Sequence, residues 1–136
     1  KEFFDKWGEA SSGATMVNRD GKFAVVGARK DDVWGCIYRN VQIPLDENPV
    51  LNMDISSQTG EGYLILKGEG VPDGFVRLKP APAGPGRYSY TLSDFIPEKK
   101  TRTLELQVGV VNTKGPDATG AEMVIDRMEM VLKKKR

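Results

Sequence analysis

The chain has 136 residues, a length that fits a single domain over 1–136 and can bury a core without disulfide or metal staples. Its 20 basic and 19 acidic residues leave a net charge of +1, which argues against a general nucleic-acid binder, since that would need a basic surplus. It contains no histidine and one cysteine, Cys36, so His-based acid–base catalysis, Ser-His or Cys-His nucleophile pairs, His-ligated metals and an internal disulfide are excluded.

A hydrophobic fraction of 39% with 29% charged residues indicates a soluble globular domain. No apolar run approaches the roughly 18 residues of a membrane helix, so no membrane insertion is expected. The chain begins at Lys1 without a Met, which reads as a processed or excised fragment.

Pro and Gly punctuate the chain at short intervals, and the runs between them alternate with period two, the mark of half-buried strands. Short strands are expected around Phe3–Trp7 and Ala14–Val17. Eight clearer ones follow: Phe23–Ala28, Trp34–Leu45, Val50–Ser56, Tyr63–Lys67, Phe75–Lys79, Arg87–Ser93, Thr103–Val111 and Glu122–Leu132. Pro80 to Gly86 must be a loop, and 94–101 has room for one helical turn. Lys133 to Arg136 is a solvated basic tail. Many strands with regular turns and one polar face each predict an all-β fold, a two-sheet antiparallel sandwich.

The inward set includes Ile37, Val41, Ile43, Leu51, Met53, Ile55, Leu64, Leu66, Leu104, Leu106, Val108 and Val110. The outward set is Trp34, Tyr38, Asn40, Gln42, Asn52, Asp54, Tyr63, Lys67, Phe75, Arg77, Lys79, Glu105 and Gln107. Flat rings beside amides, carboxylates and cations suit sugars: a ring stacks on a sugar face, and the polar groups bond to paired hydroxyls. Trp34, Tyr38, Asn40, Gln42, Asn52, Asp54, Arg77 and Gln107 are the expected ligand-binding residues. A merely wet sheet, or a core position for Trp34 and Tyr38, would leave the same pattern.

Asp126 interrupts the apolar row Val124, Met128, Met130 and Leu132 of the last strand. A carboxylate there needs a partner. Calcium, with Asp20 and Glu2 as further ligands, is one solution; an ion pair with Arg29 or Arg39 is the other. A carboxylate pair for hydrolysis would have to come from residues such as Asp54 and Glu105, and no spacing singles them out, so no enzyme is expected.

The order of several short motifs resembles a known family. They are Trp7, Asp20-Gly21-Lys22-Phe23-Ala24-Val25, Trp34-Gly35, Asn48-Pro49-Val50-Leu51-Asn52-Met53, Gly86-Arg87-Tyr88-Ser89-Tyr90-Thr91-Leu92 and Val124-Ile125-Asp126-Arg127-Met128. Together they resemble the galactose-binding-like jelly rolls that serve as carbohydrate-binding modules and accessory domains of bacterial glycoside hydrolases. The resemblance implies a non-catalytic polysaccharide- or oligosaccharide-binding domain, extracellular or at the cell surface, tethered to a glycoside hydrolase. It implies a structural calcium held by Glu2, Asp20 and Asp126, and a ligand site on the concave sheet or in end loops bearing Trp7, Asp32, Trp34 or Tyr88. It also covers relatives that bind no sugar, so a structural sandwich packed on a neighbouring domain is the alternative.

Overall fold

The computed structural model describes residues 10–12, 14–19, 22–27, 34–111 and 122–133; the expected strand around Phe3–Trp7 lies outside them. The strands are β1 (Ala10–Ser12), β2 (Ala14–Arg19), β3 (Lys22–Gly27), β4 (Trp34–Pro44), β5 (Pro49–Thr59), β6 (Glu61–Lys67), β7 (Phe75–Arg77), β8 (Gly86–Thr91), β9 (Thr101–Val111) and β10 (Glu122–Leu132). They form two antiparallel five-stranded sheets, sheet A in the order β1-β4-β9-β6-β7 and sheet B in the order β2-β3-β10-β5-β8. The eight clearer strands of the sequence are all present, and among the described residues the helical content is single 3-10 turns such as Leu92–Asp94.

The sheets face each other through the alternating apolar positions. Sheet A contributes Ile37, Val41, Ile43, Leu64, Leu66, Leu104, Leu106, Val108 and Val110; sheet B contributes Leu51, Met53, Ile55, Tyr90, Met123, Ile125, Met128 and Met130. Burying such side chains supplies about 1.5–3 kcal/mol each before chain entropy is counted. Tyr90 fits among them because its hydroxyl donates to the Pro80 carbonyl at 2.6 Å. On the same strand, Tyr88 donates to the Gly84 carbonyl at 2.8 Å and accepts from the Ala83 amide at 3.1 Å. The two tyrosines of β8 thus hold the Pro-rich loop onto the sheet.

Asp126 sits differently from its expected place in the apolar row. The β10–β5 register shifts twice, between Val124 and Ile125 and between Ile125 and Arg127. Ser56 on β5 and Asp126 on β10 are the extra residues, one bulge on each strand. Each bulge inverts the alternation beyond it. Ile125, Met128 and Met130 therefore face the core, while Arg127 and Glu129 face out. Leu132, expected in the apolar row, is exposed. Asp126 is pushed to the surface, where its carboxylate lies 3.1 Å from the Lys22 ammonium. Its counter-charge is Lys22, not the expected Arg39; Arg29 lies outside the described residues.

Candidate functional site

Each sheet has an outer face, and the outward residues divide between the two. Asn52 and Asp54 belong to β5 and so lie on sheet B, away from Tyr38, Asn40, Gln42, Arg77 and Gln107 on sheet A. A single face bearing all eight expected ligand-binding residues does not exist. Period-two alternation tells which side of its own strand a residue occupies, but it carries no information on which sheet receives the strand. Asp54 and Glu105 likewise stand on opposite surfaces, which removes them as a carboxylate pair.

On sheet B the polar residues are matched across strands. Asn52 stands opposite Ser89, whose hydroxyl donates to Asn52 Oδ1 at 2.5 Å. Asp54 stands opposite Arg87, which bonds to both carboxylate oxygens at 2.8 and 3.4 Å. The Arg87 guanidinium holds the Asp54 carboxyl below its ordinary range, with Arg127 adding to the effect. Arg127 in turn reaches Glu129 at 2.9 Å.

Sheet A presents a different surface. Its register aligns Tyr38, Gln107, Ile65 and Arg77 in one row across β4, β9, β6 and β7. The adjacent row is Asn40, Glu105, Lys67 and Phe75. Tyr38, Ile65, Glu105 and Gln107 are half-buried, whereas Asn40, Gln42, Lys67, Phe75 and Arg77 are exposed. Gln107 donates to Glu105 at 2.7 Å, which fixes both side chains between the strands that carry the rings. Among the described residues, Tyr38, Asn40, Gln42 and Lys67 make no side-chain hydrogen bond or ion pair within the fold.

One end of this face is more closed. Cys36, Gly109 and Tyr63 form the next row. Tyr63 and Cys36 hydrogen-bond across the strand that carries Gly109, whose missing side chain leaves room for the contact. The Arg77 guanidinium lies 5.8 Å from the Tyr63 ring centre, a cation–π arrangement that sets Arg77 against the sheet. Burial, followed by the nearby Cys36, pushes the Tyr63 phenol far above its ordinary range. Burial likewise raises the Cys36 thiol, against the Tyr63 bond that lowers it. Both shifts favour the protonated forms, in keeping with a thiol packed beside a phenol.

Trp34 is the first residue of β4, paired with Val111, and its side chain lies outside the described residues. Of the three expected calcium ligands, Glu2 and Asp20 also lie outside them, and Asp126 is the bulged residue paired with Lys22. Among the described residues no three metal-ligating side chains converge. Of the loop candidates, Trp7 and Asp32 are outside the described residues, and the Tyr88 hydroxyl is committed to its own loop. A cleft of about 370 Å³ at one end of the sandwich is lined by Leu45, Asp46, Asn48, Ser93 and Lys99, with no ring among them. The sequence reading does not select Ile65 or Phe75 for the site. Alternation alone places both outward, and the signal that raises them is the strand register, which sets them beside Gln107 and Lys67.

No family profile matches the chain, and no curated protein matches its sequence. Solved structures do match. A mutant of CBM29-2, a family 29 carbohydrate-binding module complexed with cellulohexaose, is 12% identical at a TM-score of 0.60, over 96% of this chain and 82% of that one. PfGH50B is 15% identical at a TM-score of 0.56, over 96% of this chain and 23% of that longer one. CtCBM11, studied in solution for its dynamics and binding, is 10% identical at a TM-score of 0.50, over 96% of this chain and 88% of that one. At such identities the likeness is one of fold, and the chain is a β-jelly-roll sandwich of the architecture seen in carbohydrate-binding modules.

Proposed function

We propose that this domain is a non-catalytic carbohydrate-binding module and that its polysaccharide lies on the outer face of sheet A. The observation that carries the reading is the row Tyr38, Gln107, Ile65, Arg77, bordered by Asn40, Glu105, Lys67 and Phe75. Rings and Ile65 match the apolar faces of pyranoses, and the amides and charges between them match hydroxyl pairs. Among the described residues, the row that carries Glu105 holds no second carboxylate, and Gln107 is the hydrogen-bond partner of Glu105.

Such shallow sites bind in the micromolar to millimolar range, about 4–8 kcal/mol. Soluble β-1,4-glucans are the first probes, because one neighbour in fold was solved with cellulohexaose. Affinity electrophoresis in gels containing hydroxyethylcellulose, barley β-glucan, glucomannan, xyloglucan or a galactan tests the reading. Retardation by at least one polymer, relieved in Tyr38→Ala, is expected. Unretarded migration through every gel would remove the proposal. The module reading carries two further proposals, that the domain lies outside the cell and that it is tethered to a glycoside hydrolase. The PfGH50B match, in which a like fold fills 23% of a longer chain, supports the tethering. A structural calcium at Asp126 with Glu2 and Asp20 is a separate proposal. A higher melting temperature in calcium than in EDTA supports it, and identical values remove it.

A further inference from the structure

The outer face of sheet A carries one ring on β4, next to the edge strand β1, and another on the opposite edge strand β7. Tyr38 stands half-buried on β4, and Phe75 stands on the three-residue edge strand β7 with 53% of its surface exposed. Only Phe75 and Leu132 are large apolar side chains this exposed among the described residues, and Leu132 ends a strand of the other sheet. Alternation turns Val76 toward the core and so turns Phe75 out.

The register places the two rings relative to each other. Phe75 faces Lys67, Lys67 faces Glu105, and Glu105 faces Asn40, one step along β4 from the row that starts at Tyr38. Tyr38 and Phe75 are therefore three strand spacings apart across the sheet and two residues apart along it, about 16 Å by sheet geometry. Gln107, Glu105, Ile65 and Lys67 fill the interval. In the other direction, along β4, the outward residues after Tyr38 are Asn40 and Gln42, with no ring.

Resting on the binding face proposed above, we infer that the ligand is a linear glycan that crosses the strands and stacks one sugar on Tyr38 and another on Phe75. A 1,4-linked pyranose advances its chain by about one strand spacing, ~5 Å, so reaching both rings takes about four sugars. Shorter oligomers engage one ring only, and the polar residues between the rings bond to the hydroxyls of the intervening sugars. Phe75 thereby selects for chain length and Tyr38 for the presence of a sugar.

Isothermal titration of wild type and Phe75→Ala with cellotriose and cellohexaose tests this, alongside the polysaccharide gels. The wild type should bind the hexamer at least tenfold more tightly than the trimer. Phe75→Ala should lose most of that preference, its affinity falling several-fold more for the hexamer than for the trimer, and should melt at the wild-type temperature. If the wild type is retarded in a gel but Phe75→Ala keeps the full hexamer-to-trimer ratio, or no ratio exists, the two-ring path is wrong and the binding face stands. If no gel retards the wild type, the face falls and the path with it.

Discussion

On the outer face of sheet B, Ser89 donates to Asn52, Arg87 grips Asp54 and Arg127 holds Glu129. On the outer face of sheet A, Asn40, Gln42 and Lys67 find no such partners among the described residues, and they lie beside Tyr38 and Phe75. The two faces draw on similar residue types, and the register makes them different. Cross-strand matching on sheet B directs donors and acceptors into the sheet, and each exposed pair adds little stability. The mismatch on sheet A leaves polar groups bonded to water next to flat apolar surfaces, the combination a sugar can displace.

The largest effect should come from inverting the alternation that keeps the sheet B ladder facing outward. Inserting an alanine between Met128 and Glu129 adds a residue within the regular ladder of β10 and turns Glu129 inward in the place of Met130. Cooperative thermal unfolding by circular dichroism should disappear. Asp126→Ala keeps the residue count and loses only the half-exposed contact with Lys22, so it should cost less than about 1 kcal/mol. Comparable losses from the insertion and the substitution would show that the strand's alternation matters no more than the charge of Asp126.

A direct contrast of the faces is next in size. Tyr38→Ala should weaken binding to the polymer found in the gels about tenfold, near 1.4 kcal/mol. Asn52→Ala and Arg87→Ala on the opposite face should leave it within about twofold. Titration calorimetry reads both, and equal losses on the two faces would erase the distinction.

The fold was legible because Leu51, Met53 and Ile55, or Leu104, Leu106 and Val108, alternate without interruption, and all of them reach the core. Less of the site could be read, for two physical reasons. Asn52 and Asp54 share the alternation of Tyr38 and Gln107 but pair in another sheet, and strand partners are set by long-range packing that no local pattern encodes. Asp126 looked buried because a bulge is a miscount of one residue, visible only when two strands are laid side by side. Ile65 was passed over for a related reason: alternation turns it outward between Leu64 and Leu66, but only the register shows that it stands beside Gln107 and Arg77.

The smallest effect concerns pH. Arg87 lowers the Asp54 pKa in the folded protein, so the stability this pair contributes is present above the ordinary Asp value of about 4. It is lost as the pH falls through the depressed value. Wild type should melt slightly above Asp54→Asn at about pH 6, and the two should converge on acidification. A difference that grows toward acid would mean that Arg87 does not stabilise the ionised form. Glycan binding measured over the same range should not follow this titration, because the pair lies on the other face.

The most direct test of the binding face is a backbone amide NMR titration of the isotopically labelled protein with the polysaccharide fragment that binds. Shifts are expected at Tyr38, Asn40, Ile65, Lys67, Arg77, Glu105 and Gln107, with the amides of Asn52, Asp54, Arg87, Ser89 and Glu129 unmoved. Saturable shifts concentrated on β5, β8 and β10, or around the end cleft at Asn48 and Ser93, would contradict the account.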